Sequence, residues 1–119
     1  MAGSILIVED SPDLRLLMQR VLELQGYEVF TAINGEEGLR EMEHVHPCLV
    51  ILDLMMPVMN GWEFFSIKNK DPNYAPIPVV ICSAIGHAVH LPGAQGFLHK
   101  PMELDEMLET VEKHCGLAH

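Results

Sequence analysis

The hydrophobic positions of the chain fall into short runs separated by stretches of helical period. Ile5 to Val8 is a continuous apolar run, the pattern of a strand buried on both faces. Ser11-Pro12-Asp13 has the form of a helix start: a hydroxyl cap, a proline in the first turn and an acid favourable to the helix dipole. Leu14, Leu17, Met18, Val21 and Leu22 then recur at helical spacing, and Gly26 stops the pattern. Glu28 to Ala32 reads as a second strand. Asn34-Gly35 could turn a hairpin, but Glu36, Glu37, Leu39, Arg40 and Met42 continue with a helical period. Asn34 is therefore a helix cap, and Pro47 closes that helix. Cys48 to Leu52 is the most apolar stretch and predicts a central strand. A third helix follows over Gly61 to Lys70, and a fourth strand over Ile77 to Cys82 with Pro76 and Pro78 at its entry. A brief fifth strand covers Gly96 to His99, and Leu104, Met107, Leu108, Val111 and Cys115 form the apolar stripe of a last helix. Strands alternating with helices of this length predict an α/β fold with a parallel sheet covered on both faces.

Size and charge narrow the function. The chain has 119 residues, of which 49% are apolar, which is one domain with a well-buried core. A formal charge of −10 argues against direct binding to nucleic acid or to an anionic membrane. No apolar stretch is long enough to span a bilayer, and no export signal stands at the N-terminus. Cys48, Cys82 and Cys115 leave an odd thiol, and two of them sit in apolar runs. They read as reduced, buried residues of a cytoplasmic protein.

In open parallel sheets, ligands bind beyond the carboxyl ends of the strands. Strand one ends in Glu9-Asp10, strand three in Asp53, strand four in Ser83 and strand five in Lys100-Pro101. Crowded carboxylates resist ionising together unless a cation joins them, and oxygen ligands suit a hard divalent ion, Mg2+ above all. A hydroxyl and an ammonium beside them suit a phosphoryl group. Asp53 is the natural nucleophile, because carboxylates form acyl phosphates. Taken singly, each residue has an ordinary explanation: a solvated acidic turn, a strand-end serine, a surface lysine. Asp53 is the exception, since a carboxylate directly after five apolar residues is costly without a purpose. The specificity lies in finding all of these groups at successive strand ends.

These residues resemble the receiver domain of two-component response regulators, over roughly residues 4 to 115. The features that carry the resemblance are Glu9-Asp10, Asp53-x-x-x-Pro57-x-x-x-Gly61, Ser83-Ala84, and Gly93-Ala94-x-x-Phe97-Leu98-x-Lys100-Pro101, in that order. The resemblance implies a flavodoxin-like, doubly wound sheet of strand order 2-1-3-4-5 in a single receiver domain, with no output domain after the last helix. It implies Asp53 as phosphoacceptor and Mg2+ held by Glu9, Asp10, Asp53 and the backbone carbonyl of Met55. Ser83 would be the switch hydroxyl, Phe97 the aromatic switch and Lys100 the phosphate-binding ammonium, with the Lys100-Pro101 bond cis. A histidine kinase or histidine phosphotransfer protein would donate the phosphoryl group. A downstream protein, or a second copy, would read the face of strands four and five. Such a protein is a signalling switch rather than an enzyme.

Some features depart from that pattern or stand outside it. Only 16 residues separate Ser83 from Lys100, short by about a helical turn of roughly four residues, so the fourth helix should be short or irregular. Pro72 to His99 contains no Asp, Glu, Lys or Arg, which suggests an apolar partner surface around Ala84 to Gly96. Met55 and Ile85 are apolar where the family tunes loss of phosphate, which predicts a long-lived phosphoryl state. His44-x-His46 and His87-x-x-His90 have ligand-like spacing, but no cysteines accompany them at zinc-site distances, and surface histidines are the simpler account. His99 is placed to lie near the phosphate. Two rival functions remain. A haloacid-dehalogenase-type phosphatase also uses a strand-end Asp, but it needs a second Asp where Met55 stands and carries its nucleophile on the first strand. A degenerate receiver would bind partners without phosphorylation.

Overall fold

The computed structural model describes residues 3–84 and 91–116. Five strands, β1 (Ser4–Val8), β2 (Glu28–Ala32), β3 (Leu49–Leu52), β4 (Val79–Ser83) and β5 (Gly96–His99), form one parallel sheet in the order β2-β1-β3-β4-β5. Four helices accompany them: α1 (Pro12–Leu24), α2 (Gly35–His44), α3 (Gly61–Lys70) and α4 (Leu104–Cys115). The strand order reverses between β1 and β3, so the crevice of this fold opens at the carboxyl ends of those two central strands.

The alternation of side chains along each strand sorts the core into two layers. Ile5 and Ile7 of β1, Leu49 and Ile51 of β3, and Val80 and Cys82 of β4 face Met18 and Leu22 of α1 and Met107 and Val111 of α4. Their neighbours Leu6, Val8, Val50, Leu52, Val79 and Ile81 face Met42 of α2 and Phe64 and Phe65 of α3. Both central strands β3 and β4 are buried throughout, which is why they read as unbroken apolar runs.

The helix starts are set by side-chain caps. Ser11 Oγ accepts from the Leu14 N–H, Asn34 Oδ1 from the Glu37 N–H, and Asn60 forms a reciprocal capping box with Glu63. The Asn34 cap settles the hairpin alternative: a helix begins at Gly35. β4 starts at Val79, two residues later than the apolar run suggests. Pro78 has no N–H for the ladder, and Ile77 is held in a turn by its bond to the Tyr74 carbonyl.

One sequence expectation is overturned. Cys48 and Cys115 are not reduced, separate thiols; they form a disulfide across a sequence separation of 67 residues, with Cα atoms 5.5 Å apart. The cause lies in the topology. Cys48 leads into β3 at the sheet's amino end, and α4 runs back across the sheet to finish over the same point. Only Cys82 is free and buried as expected, and burial pushes its thiol up to about 12. Ile85 and the His87-x-x-His90 pair lie outside the described residues, as do residues 85–90 of the Ala84 to Gly96 segment, where the short fourth helix is expected.

Candidate functional site

Backbone pairing draws the carboxyl ends of the strands together. The Asp53 N–H bonds the Val8 carbonyl at 2.9 Å, and the Glu9 N–H bonds the Ala32 carbonyl at 2.9 Å. The acids that follow β1 and β3 are thereby fixed side by side. Ser83 pairs with His99 in the β4–β5 register, and the Lys100 N–H bonds the Ser83 carbonyl at 3.0 Å, so the ends of these two strands meet as well. The Lys100–Pro101 bond is cis.

Ligand oxygens of Glu9, Asp10 and Asp53 lie within 4.8 Å of one another, the one such group of three or more His, Cys, Asp or Glu side chains among the described residues. His44 and His46 form no such cluster. Glu9 is 1% exposed and Asp53 3%, whereas Asp10 lies open to solvent. Lys100 reaches into the cluster from β5: its Nζ is 2.7 Å from Glu9 Oε1 and 3.4 Å from Asp53 Oδ2. Beyond that ion pair Glu9 Oε1 has no hydrogen-bond partner, while Glu9 Oε2 accepts from the Ser11 N–H at 3.1 Å.

The electrostatics follow from this crowding. Burial, the nearby Glu9 charge and a hydrogen bond with Asp10 push the Asp53 carboxyl up to about 7. The Lys100 charge and the Met55 N–H, which donates to Asp53 Oδ1 at 3.3 Å, pull the other way. Burial alone would lower the Lys100 ammonium, but its pairing with Glu9 and Asp53 outweighs that and holds it above its ordinary value. The cluster therefore has fewer cations than its three carboxylates would need to ionise together.

The surroundings fix this geometry. Gly61 opens α3 directly against the turn after β3: its N–H bonds the Leu54 carbonyl at 2.9 Å, and a Cβ there would come within 2.7 Å of Leu54 Cα and run into the Asp53 carbonyl. Ser83 is fully buried at its strand end, and Phe97 packs against the α2–α3 layer of the core, with His99 edge-on to its ring at a centroid distance of 5.2 Å. The Met55 side chain is 60% exposed at the mouth of the site.

Sequence reasoning missed Arg15. Its Nη1 donates to the Glu9 carbonyl at 2.9 Å and the Asp10 carbonyl at 3.3 Å, so a cation from the first turn of α1 holds the backbone of the acidic turn. The available signal was a lone arginine one helical turn after an acidic strand end.

An open parallel sheet with an acid–lysine cluster at the carboxyl ends of its central strands defines the class of doubly wound α/β domains with their site at the switch in strand order. Within it, the chain belongs to the response regulator receiver domain family, whose model matches residues 5–112. It is 34% identical over 116 residues to the chemotaxis protein CheY of Listeria monocytogenes, covering 92% of this chain and 95% of that protein. It is also 34% identical over 112 residues to the DNA-binding dual master transcriptional regulator RpaA of Synechocystis, covering 90% of this chain. There it spans less than half of the relative, 46% of its length. Among solved structures, the response regulator TrrA of Thermotoga maritima in complex with Mg2+–BeF superimposes with a TM-score of 0.82 at 32% identity, covering 93% of this chain and 97% of that one. Among the described residues no helix is long and apolar enough to cross a membrane.

Proposed function

We propose that the chain is a phosphorylation-controlled switch that accepts a phosphoryl group on Asp53 from a histidine kinase or histidine phosphotransfer protein. The observation that carries this reading is the placement of Asp53: buried at the end of a central strand, within a carboxylate cluster that the Lys100 ammonium enters, 3.4 Å from Asp53 Oδ2. A carboxylate oxygen of Asp53 attacks the phosphorus of a phosphohistidine. The new O–P bond forms as the N–P bond breaks, and the imidazole leaves with the electron pair. Lys100 swings from Glu9 toward the transferred group and balances its charge.

The donor set fits Mg2+. Three carboxylates offer oxygens within reach of one ion, and the burial and crowding that push the Asp53 carboxyl up to about 7 are what a divalent charge relieves. Glu9, Asp10 and Asp53 would hold it, with the Met55 carbonyl completing the protein's share. When bound, the ion neutralises the phosphoryl oxygens. Ser83 and Phe97 then carry the change to the β4–β5 face, which a downstream protein reads. Met55 offers no group to orient an attacking water, so the acyl phosphate is long-lived, and Met55→Asn shortens its lifetime.

Intact mass after incubation with acetyl phosphate and Mg2+ tests this reading. One phosphoryl adduct is expected on the wild type, and none on Asp53→Asn or without Mg2+. If neither acetyl phosphate nor beryllofluoride modifies the wild type, the chain is a degenerate receiver that acts without phosphorylation.

A further inference from the structure

We propose that Cys48 and Cys115 form a reversible redox site that exchanges two electrons with a low-molecular-weight thiol–disulfide couple, and that its state sets how firmly the last turn of α4 is held against the sheet. The cross-link joins the entry of β3 to the C-terminal residue of α4. Both cysteines are half-buried, at the edge of the core layer formed with α1 and α4, so a small thiol can approach them without unfolding the sheet. The seat of Cys48 is shaped around its sulfur: a Cβ on Gly3 would come within 2.7 Å of Cys48 Sγ.

The reduced form is accommodated as well. Cys48 Sγ lies 3.3 Å from the Ser4 carbonyl oxygen, an acceptor ready for the thiol proton. The end of α4 keeps a second tie, because the Tyr27 hydroxyl donates to the Gly116 carbonyl at 2.6 Å. Opening the disulfide therefore loosens one helix end rather than releasing the helix. The third cysteine cannot join the exchange: Cys82 is buried between β4 and α4, with its sulfur against Met102 Sδ at 3.8 Å. The site is also remote from the acidic cluster, since Cys48 and Asp53 bracket β3 from opposite ends, about 17 Å apart at strand rise.

The exchange balances as a disulfide and two small thiols giving two protein thiols and one small disulfide, through a mixed disulfide. Electrons pass to the protein when it is reduced, and the two protons end on Cys48 and Cys115.

The test is an equilibration of the native full chain in reduced and oxidised glutathione at graded ratios, quenched with iodoacetamide and read by peptide mass. One two-electron transition is expected, with Cys48 and Cys115 alkylated together and Cys82 protected. The reduced form should melt lower by about 5 °C or more, from the lost closure of a long loop. Its amide exchange should quicken over residues 104–115 and stay unchanged over 49–52. Asp53→Asn should titrate like the wild type, which separates this site from the phosphotransfer reading. Cys115→Ser should show the reduced form's melting point and no intramolecular two-electron transition, Cys48 alone forming a mixed disulfide with glutathione; if it does not fold, the wild-type titration decides alone. A cross-link that resists excess reduced glutathione under native conditions, thiols that stay free in oxidised glutathione, or two forms with the same melting point and exchange would each overturn the proposal.

Discussion

The two ends of the sheet are held together by opposite means. At the amino end the chain is closed: a disulfide joins β3 to α4, a tyrosine hydroxyl grips the helix end, and the positions of positive φ beside it are glycines, Gly26 at 98° and Gly116 at 72°. At the carboxyl end the chain is left in tension. Three carboxylates crowd together, two of them on one lysine, Glu9 Oε1 has no other partner, and the positive φ falls on a valine, Val58 at 68°. A region whose buried acids outnumber the lysine between them does not satisfy its own charges, and the stability it gives up has to come from elsewhere.

The largest expected effect breaks the closed end. Cys115→Ser removes a cross-link across 67 residues and should cost about 2–4 kcal/mol in a urea titration under oxidising conditions. The same variant measured with reductant should match the reduced wild type. If the wild type loses nothing on reduction, the contrast between the two ends has no energetic content.

Next comes the lysine paired with the carboxylates of the open end. Lys100→Met leaves the Glu9 and Asp53 carboxylates buried beside each other without the ammonium that pairs with both. It should cost about 2–3 kcal/mol at pH 8, below the roughly 3–5 kcal/mol of a fully buried broken pair because Lys100 is 20% exposed. At pH 5 the loss should shrink, since Asp53 takes up a proton there instead.

Removing charge from the open end should do the reverse. The folded value for Asp53, about 7, lies above its ordinary 3.8, so the native state binds this proton more tightly than the unfolded chain. The stability that protonated Asp53 contributes is fully present below about pH 4 and is lost as pH rises toward 7. Asp53→Asn keeps the neutral form at every pH. Its gain over the wild type should therefore open between pH 4 and 7 and level off above, on the order of 1 kcal/mol or more. Millimolar Mg2+ should narrow the gap by stabilising the wild type alone. A gap that does not change between pH 4 and 8 would remove the electrostatic account of this end.

The two ends also differed in how far the sequence revealed them. The open end was legible because its chemistry is local. Asp53 stands directly after an apolar run, Glu9-Asp10 directly after another, and Lys100-Pro101 after a third, so strand periodicity alone carried them to one rim. Helix starts were legible for the same reason, since Ser11, Asn34 and Asn60 each cap the helix that follows them. The closed end was not. Whether Cys48 meets Cys115 depends on where α4 crosses the sheet, and nothing within a few residues of either cysteine encodes that. Arg15 escaped notice because it grips backbone carbonyls, which leave no mark in the residue pattern.

Val58 gives the smallest effect and the sharpest test of the strain at the open end. The Met59 N–H bonds the Pro57 carbonyl at 2.8 Å, closing a three-residue turn with Val58 at its centre. With φ at 68° this is the rarer, strained hand of that turn, and a β-branched side chain is poorly suited to it. The turn persists because Met59 is fixed from both sides: its carbonyl accepts the Gly35 N–H at 2.8 Å, and its side chain packs into the α2–α3 layer. The Val58 side chain itself is 75% exposed, so replacing it sacrifices little buried surface. Val58→Asn, which tolerates positive φ, should therefore stabilise the protein by about 0.5–1 kcal/mol in urea. Val58→Gly should gain less, because the added freedom of the unfolded chain offsets part of the relief. Neither change should alter the reduction of the Cys48–Cys115 bond at the opposite end. If Val58→Asn is neutral or destabilising, the valine is not under strain, and the tension at the carboxyl end resides in its charges alone.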